Sequence, residues 1–462
     1  MNLSFDTPVR FQLAQTPGLR QTSPGRPRVI ARAQRGWMAL LILLGFGWRM
    51  IGLIVQGLTP VEEETIQLST RPLDEAFTVL VAPEQSGAFY YLLMRPWLEF
   101  FGATPFSLRY ASVLFSVVGF ALMWQVARRM VPTVGSSVLR NLPLLSTIFL
   151  VANPYQLWYS QEGGVFVLVV VLVLFSSWSW LQAMWYGGLW RWVGYLLVTA
   201  ISLYTHLSTV LLLPVHLAWF LLANPLNRQR WRGYGTALVG FALPLLPLTE
   251  WGWRFLAGGD NPLSRHGGLI QSILASLPIV PFKELGRILL LKHAQGIMEP
   301  ASYIFLIPIF FLALAGLLVG YTEFGGRVAN VGMLAAWLIL PVLLVFAVSL
   351  IAPMLPKQPP ANEEADAQVR SIIWISPAFM MFLALGAQVM RRAYGKLGSW
   401  LSIGLILFVV LFWGYRWWEQ SGRPINIQLG AAHEIQRPCC TVSVIADGTP
   451  GVKFDGQTTG RT

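Results

Sequence analysis

WMALLILLGFGWRMIGLIVQGLTPVEEE, residues 37–64, sets the frame for the whole chain. Its first part, Trp37 to Leu58, is an apolar run long enough to cross a bilayer, which takes about 20 residues. Three carboxylates, Glu62, Glu63 and Glu64, follow at once. They stand where a membrane surface meets water. Such a cluster is either a solvated boundary or a set of acids serving a lipid-borne substrate.

Composition outside this stretch agrees with its first half. Hydrophobic residues make up 55% of the 462 and charged residues 12%, about half the share usual in soluble domains. Mean hydropathy is +0.57. Apolar spans can be placed near 37–58, 105–127, 142–158, 164–183, 192–205, 207–223, 234–252, 300–321, 330–351, 371–390 and 399–417. This predicts an all-α polytopic membrane protein of about eleven transmembrane helices. The first span has the basic flank of a signal peptide, but its length and the spans after it read as a retained helix.

Charge orients the bundle. With the N-terminus in the cytoplasm, the cytoplasmic tail and loops hold 17 of the 33 Lys and Arg and only two acids, Asp6 and Glu323. That is the positive-inside asymmetry. The net charge of +12 therefore belongs to one membrane face and carries no signal for nucleic acid. The predicted layout is a disordered basic tail over 1–36, a membrane domain over 37–417 and an extracytoplasmic tail over 418–462. Long outer loops fall at 59–104 and 253–299. The setting is a multi-pass protein of the plasma (inner) membrane, with the C-terminus outside. Cys439 and Cys440 are adjacent in sequence, so no disulfide framework is implied, and the five histidines show no ligand spacing.

Within the first outer loop, PLDEAFTVLV (72–81) and FYYLLMRPWLEFF (89–101) read as interfacial helices, with Tyr90, Tyr91 and Trp97 at headgroup level. The stretch Glu62–Gly119, ANPYQLWYSQE (152–162), LYTHLSTVLLL (203–213) and VRSIIWISPAFMMFLALG (369–386) together resemble glycosyltransferase family 39 of the GT-C superfamily. That superfamily includes protein O-mannosyltransferases and aminoarabinose transferases. The resemblance implies a GT-C-type bundle and transfer of a sugar from a polyprenyl-phosphate donor to an outer-face acceptor: lipid, glycan or protein. It implies no cofactor, while an acidic cluster stays compatible with a divalent metal.

The same resemblance assigns roles. Counting back from FYYLL places the catalytic base at Glu62, with Glu63 as second acid; a carboxylate there would take the proton of an acceptor hydroxyl as it attacks. Cations would meet the developing charge of the lipid phosphate, preferably arginines with their bidentate fork. Candidates are Arg49, Arg109 and Arg370, together with Lys283 and Arg287 in a basic amphipathic stretch. Glu162 would orient an arginine or hold the sugar. Arg49 lies nine residues before Leu58, about 14 Å below the predicted helix end. It serves either a phosphate or an internal pair, Glu162 being the candidate partner. The chain departs from the pattern where Ser86-Gly87-Ala88 replaces His-Pro-Pro and Gly164 replaces an Arg. Two functions therefore fit: an active glycosyltransferase, or a non-catalytic GT-C-like protein that handles lipid-linked sugars or envelope assembly.

Overall fold

The computed structural model describes residues 26–51, 53, 58–72, 87–130, 141–223, 233–235, 237, 313–314, 328–351, 373–393 and 395–421. Among them the structure is helical throughout. The helices are α1 (Arg26–Met50), α2 (Pro60–Thr70), α3 (Ala88–Phe101), α4 (Pro105–Met130), α5 (Leu142–Ala152) and α6 (Pro154–Ser160). After these come α7 (Phe166–Tyr186), α8 (Leu189–Thr205), α9 (Leu212–Ala223), α10 (Val328–Ile351), α11 (Ser376–Ala393) and α12 (Gly395–Ser421). Short 3-10 turns, Leu207–Leu211 and Ile373–Ile375, lead into α9 and α11.

Four stretches are long and apolar enough to span a bilayer: Pro105–Met130, Phe166–Tyr186, Ile373–Arg391 and Gly395–Tyr415. Together they make this an integral, all-α membrane protein. Three shorter apolar helices, Leu142–Ala152, Ser208–Leu222 and Gly332–Leu344, fill in around them. The expected spans at 234–252 and 300–321 lie almost wholly outside the described residues.

Several expected boundaries are corrected. The span at 142–158 is two helices, because Asn153 ends α5 in an extended conformation and its side chain caps α6 by accepting from the Gln156 amide. Helix α1 starts at Arg26, inside the stretch expected to be disordered, and Pro27 suits its first turn. It also stops at Met50, well short of Leu58. The reason is tertiary: the Gln161 side-chain amide donates to the Arg49 and Ile51 carbonyls at 3.2 and 2.7 Å. Those are acceptors that a helix C-terminus leaves open.

Helix α11 is the central element. It is apolar on every side, 89% of its spanning window is buried, and Gln156 on α6 holds its first residue, Ser376, at 2.7 Å. Helix α12, with 22% buried, is peripheral and presents Leu411 and Trp400 outward. Helix α4 packs on α1, α5 and α7, and α7 packs on α8. Close approach of α1 to α4 depends on Gly45, where a Cβ would come within 2.8 Å of the Phe120 ring.

Of the two expected interfacial helices, 89–101 is α3, which packs on α2, α4 and α8, and 72–81 lies almost wholly outside the described residues. Tyr90, Tyr91, Met94 and Leu98 of α3 are buried against Leu108, Ala111 and Leu168. Tyr90 and Tyr91 are therefore core residues of the protein. The exposed large apolar side chains of α3 are Leu93, Phe100 and Phe101.

Candidate active site

Helix α2 begins with a capping box. Thr59 accepts from the Glu62 amide through its hydroxyl at 3.3 Å, and the Glu62 carboxylate accepts from the Thr59 amide at 2.9 Å. The pattern Thr59-x-x-Glu62 is the sequence signature of that motif. Acidic residues in the first turn, here Glu62 and Glu63, also suit the helix dipole.

The cap is only part of what Glu62 does. Arg109, in the second turn of α4, grips it with both arms of its fork: Nε to Oε1 and Nη2 to Oε2, each at 2.7 Å. The Gly163 amide, from the turn between α6 and α7, donates to Oε1 at 2.9 Å. Each carboxylate oxygen thus receives two hydrogen bonds, and the side chain is wholly buried. Arg109 adds a bond from Nη1 to the Leu53 carbonyl at 2.9 Å. Thr65 of α2 donates to the Gly163 carbonyl at 3.2 Å. Four separate segments of chain are locked together around one buried ion pair. Burial opposes ionisation of Glu62, but Arg109 and the Thr59 and Gly163 amides outweigh it and hold the carboxyl below its ordinary range.

Gly163 is required by space. A Cβ there would lie 2.8 Å from the Leu108 Cβ and 3.3 Å from Glu62 Oε1. Gly164, where the resembled pattern has an Arg, meets only ordinary contacts at 3.8 and 3.9 Å. Beside this knot Tyr90 is wholly buried; its phenol is pushed up, first by burial and then by the neighbouring Tyr91 and Glu62.

The expected site residues separate into groups. Glu62 and Arg109 come together, on each other. Arg109 is consequently engaged by a carboxylate and a carbonyl, where a donor phosphate was the expected partner. Glu63, one residue on, is exposed and has no partner among the described residues. Glu162 is half-buried in the turn beside Gly163, its backbone bonded to Tyr159 and Gly164. Arg370, Lys283 and Arg287 lie outside the described residues.

Arg49 is not deep within a long helix but in the last turn of α1. It is wholly buried, with its guanidinium 4.5 Å from the centre of the Phe120 ring. Nη1 donates to the Gly45 and Val151 carbonyls at 3.3 and 3.2 Å. These groups, rather than Glu162, hold it. Gln161 ties the same corner to α12, accepting from Trp417 Nε1 at 3.2 Å. His206, in the turn after α8, accepts from the Ser208 amide through Nδ1 at 3.3 Å. Burial lowers its pKa to about 4, so it is a neutral turn residue at ordinary pH.

The sequence reading missed Thr59 and Gly163. The first was visible as a capping box; the second, a glycine beside a glutamate, has no signal without the fold. Among the described residues no three His, Cys, Asp or Glu converge on a metal-sized site.

No protein-family model matches the sequence, and no curated protein matches it. Solved structures with a similar trace include ArnT from Cupriavidus metallidurans in the apo state, at 16% identity and TM-score 0.47. That match covers 79% of this chain and 62% of ArnT. The arabinofuranosyltransferase AftD from Mycobacteria matches at 14% identity and TM-score 0.47, over 83% of this chain and 27% of AftD. ArnT bound to undecaprenyl phosphate matches at 13% identity and TM-score 0.37, over 77% of this chain and 78% of ArnT. The chain thus spans under two thirds of the length of the first two, and identities this low carry no residue role from them to it.

Proposed function

We propose that this protein is a GT-C-type glycosyltransferase that moves a sugar from a polyprenyl-phosphate donor to an acceptor hydroxyl on the extracytoplasmic face. In this reading Glu63 is the general base, and Glu62 positions it. The observation that carries the reading is the contrast between the two neighbouring acids. A base must have a lone pair within hydrogen-bond reach of the proton it takes. Glu62 can accept a proton only by giving up a bond to Arg109 or an amide, whereas Glu63 has its carboxylate open. The knot around Glu62 fixes the first turn of α2 relative to α4 and the 160s turn, the rigidity that a misplacement-sensitive step needs.

Arg49 supports the donor half of the reading. A buried cation is costly, and its Nε and Nη2 have no hydrogen-bond partner among the described residues. Two unspent donors on a planar fork suit a phosphate. Arg370, Lys283 and Arg287 remain further candidates for that anion. The positive-inside asymmetry supports the orientation, with α2 outside. No cofactor is part of the proposed step.

The test uses proteoliposomes supplied with polyprenyl-phosphate-linked sugars and a panel of lipid, glycan and peptide acceptors. Glu63→Gln should lower turnover by about 10²–10⁴-fold, the usual share of a general base, while the protein stays folded. Full turnover in Glu63→Gln would sink the assignment. One observation favours a second reading, a non-catalytic lipid-handling protein: the acid expected as base is consumed by an ion pair. Lipid binding without turnover on any donor and acceptor would establish that instead.

A further inference from the structure

Away from Glu62, Arg129 and Arg191 are cations that no carboxylate among the described residues answers. Residues 100–249 contain eight arginines and a single acid, Glu162. Arg109 takes its partner from outside that stretch. At the other end of α4, the Arg129 guanidinium lies 5.3 Å from the centre of the Trp178 ring and 5.8 Å from that of Tyr186. Arg191, in the first turn of α8, lies 5.4 Å from the same Tyr186 ring, and its Nη1 donates to the Gly187 carbonyl at 2.9 Å. No carboxylate among the described residues is within ion-pair distance of either arginine. Arg129 Nε is buried with no hydrogen-bond partner among them.

This arrangement is unfavourable as it stands. Two like charges share one ring and repel each other. Arg191 sits in a first helical turn, where the dipole also repels a cation. Contact with the rings offsets part of that cost, and an anion held by both guanidiniums would reverse it. The surroundings select the kind of anion. Trp190 is 84% exposed, and Leu189, Trp185 and Tyr186 beside it are exposed too. Aromatic and aliphatic surface next to arginines at a helix end is what a membrane interface covers with lipid. A soluble anion would use the charges and leave that apolar surface bare.

We propose that Arg129 and Arg191, gathered around Tyr186, bind the phosphate of an anionic phospholipid at the membrane face opposite Glu62. The two guanidiniums hold the headgroup, and Trp190 and Leu189 lie along its acyl chains. The site is separate from the proposed sugar-transfer site and does not depend on it. Twenty residues of α4 separate Arg109 from Arg129, about 30 Å of helix, the thickness of a hydrocarbon core.

The test titrates the full chain, in mild detergent, with phosphatidylglycerol and with phosphatidylcholine of the same acyl chains, counting bound lipids by native mass spectrometry. One retained phosphatidylglycerol is expected, bound about tenfold more tightly than phosphatidylcholine. Arg129→Gln with Arg191→Gln should abolish the preference. Arg191→Gln alone, at an exposed position where folding is not at risk, should remove most of it. Arg128→Gln, exposed on the same turn and in contact with neither ring, should leave it intact. Equal affinity for the two lipids in the unaltered protein would overturn the proposal. So would an equal loss in Arg128→Gln, since diffuse surface charge would then account for the binding.

Discussion

Helix α4 carries an arginine near each end, and the two are treated in opposite ways. Arg109 meets a buried carboxylate bidentately and a carbonyl besides, so the geometry around it is fixed by directional bonds. Arg129 meets the faces of Trp178 and Tyr186, contacts that tolerate sliding and leave donors unused. The first arrangement suits a place where neighbouring atoms must be held to a fraction of an ångström. The second suits one that accepts a partner from outside the chain. The same residue type on the same helix thus does two jobs, decided by what lies opposite.

The largest effect should come from breaking the ion pair on one side. Arg109→Ala leaves Glu62 charged, buried and short of two bonds, which costs about 3–5 kcal/mol. It should appear as a large fall in thermal unfolding temperature in detergent. Removing both charges, as Glu62→Leu with Arg109→Met, should recover most of that loss, because a buried pair contributes little beyond an apolar replacement. Sugar transfer should stay impaired in the double variant even so, since α2 would lose its cap and its registry. If the double variant were fully active, Glu62 would have no positioning role, and the contrast between the two ends would reduce to stability alone.

Gly163→Ala should come next. Its Cβ has no room against Leu108 and Glu62, and overpacking of this kind costs about 1–3 kcal/mol. Gly164→Ala beside it, with open contacts, serves as the control. Equal stability of the two variants would show that the turn moves aside, and that Glu62 is less rigidly held than its four hydrogen bonds imply.

Acid should act on the Glu62 end. The Glu62 pKa is lowered on folding from its ordinary 4.5, so its contribution is complete above about pH 4.5 and is lost as pH falls through the lowered value. Thermal unfolding followed from pH 7 to pH 3 should show a component that Glu62→Gln lacks. Identical acid profiles for the unaltered protein and Glu62→Gln would mean that the pair is not ionised in the folded state.

These contrasts also mark how far the sequence could be read. The membrane class and the acidic edge after the first span follow from hydropathy and position, because those signals are local, while the choice of Glu62 came from the family resemblance. The capping box was equally local and readable in Thr59-x-x-Glu62. The partner of Glu62 was not, since 47 residues separate it from Arg109. An arginine at a helix start looks the same whether it faces a phosphate or a carboxylate. The end of α1 is illegible for a similar reason: residues 51–58 are as apolar as those before them, and the cap at Met50 is donated by Gln161, 110 residues from Ile51. Break points that carry their own cap, such as Asn153, were visible in principle and masked by continuous hydrophobicity.

The smallest expected effect is also the one that separates the two ends most clearly. Arg129→Gln removes contact with two aromatic rings and no ion pair, so it should lower stability by only about 0.5–1 kcal/mol. Tyr186→Leu should cost a similar amount while keeping the apolar volume. Because Arg129 acts partly through that ring, the double variant should lose less than the two single losses added together, which a double-mutant cycle in lipid-free detergent measures directly. Repeating the cycle with phosphatidylglycerol present should enlarge the coupling, since a bound phosphate draws Arg129 and Arg191 toward the same ring. Were Arg129→Gln as destabilising as Arg109→Ala, its guanidinium would have to be meeting a fixed partner of its own. The Arg129 end would then be built by the same rule as the Arg109 end.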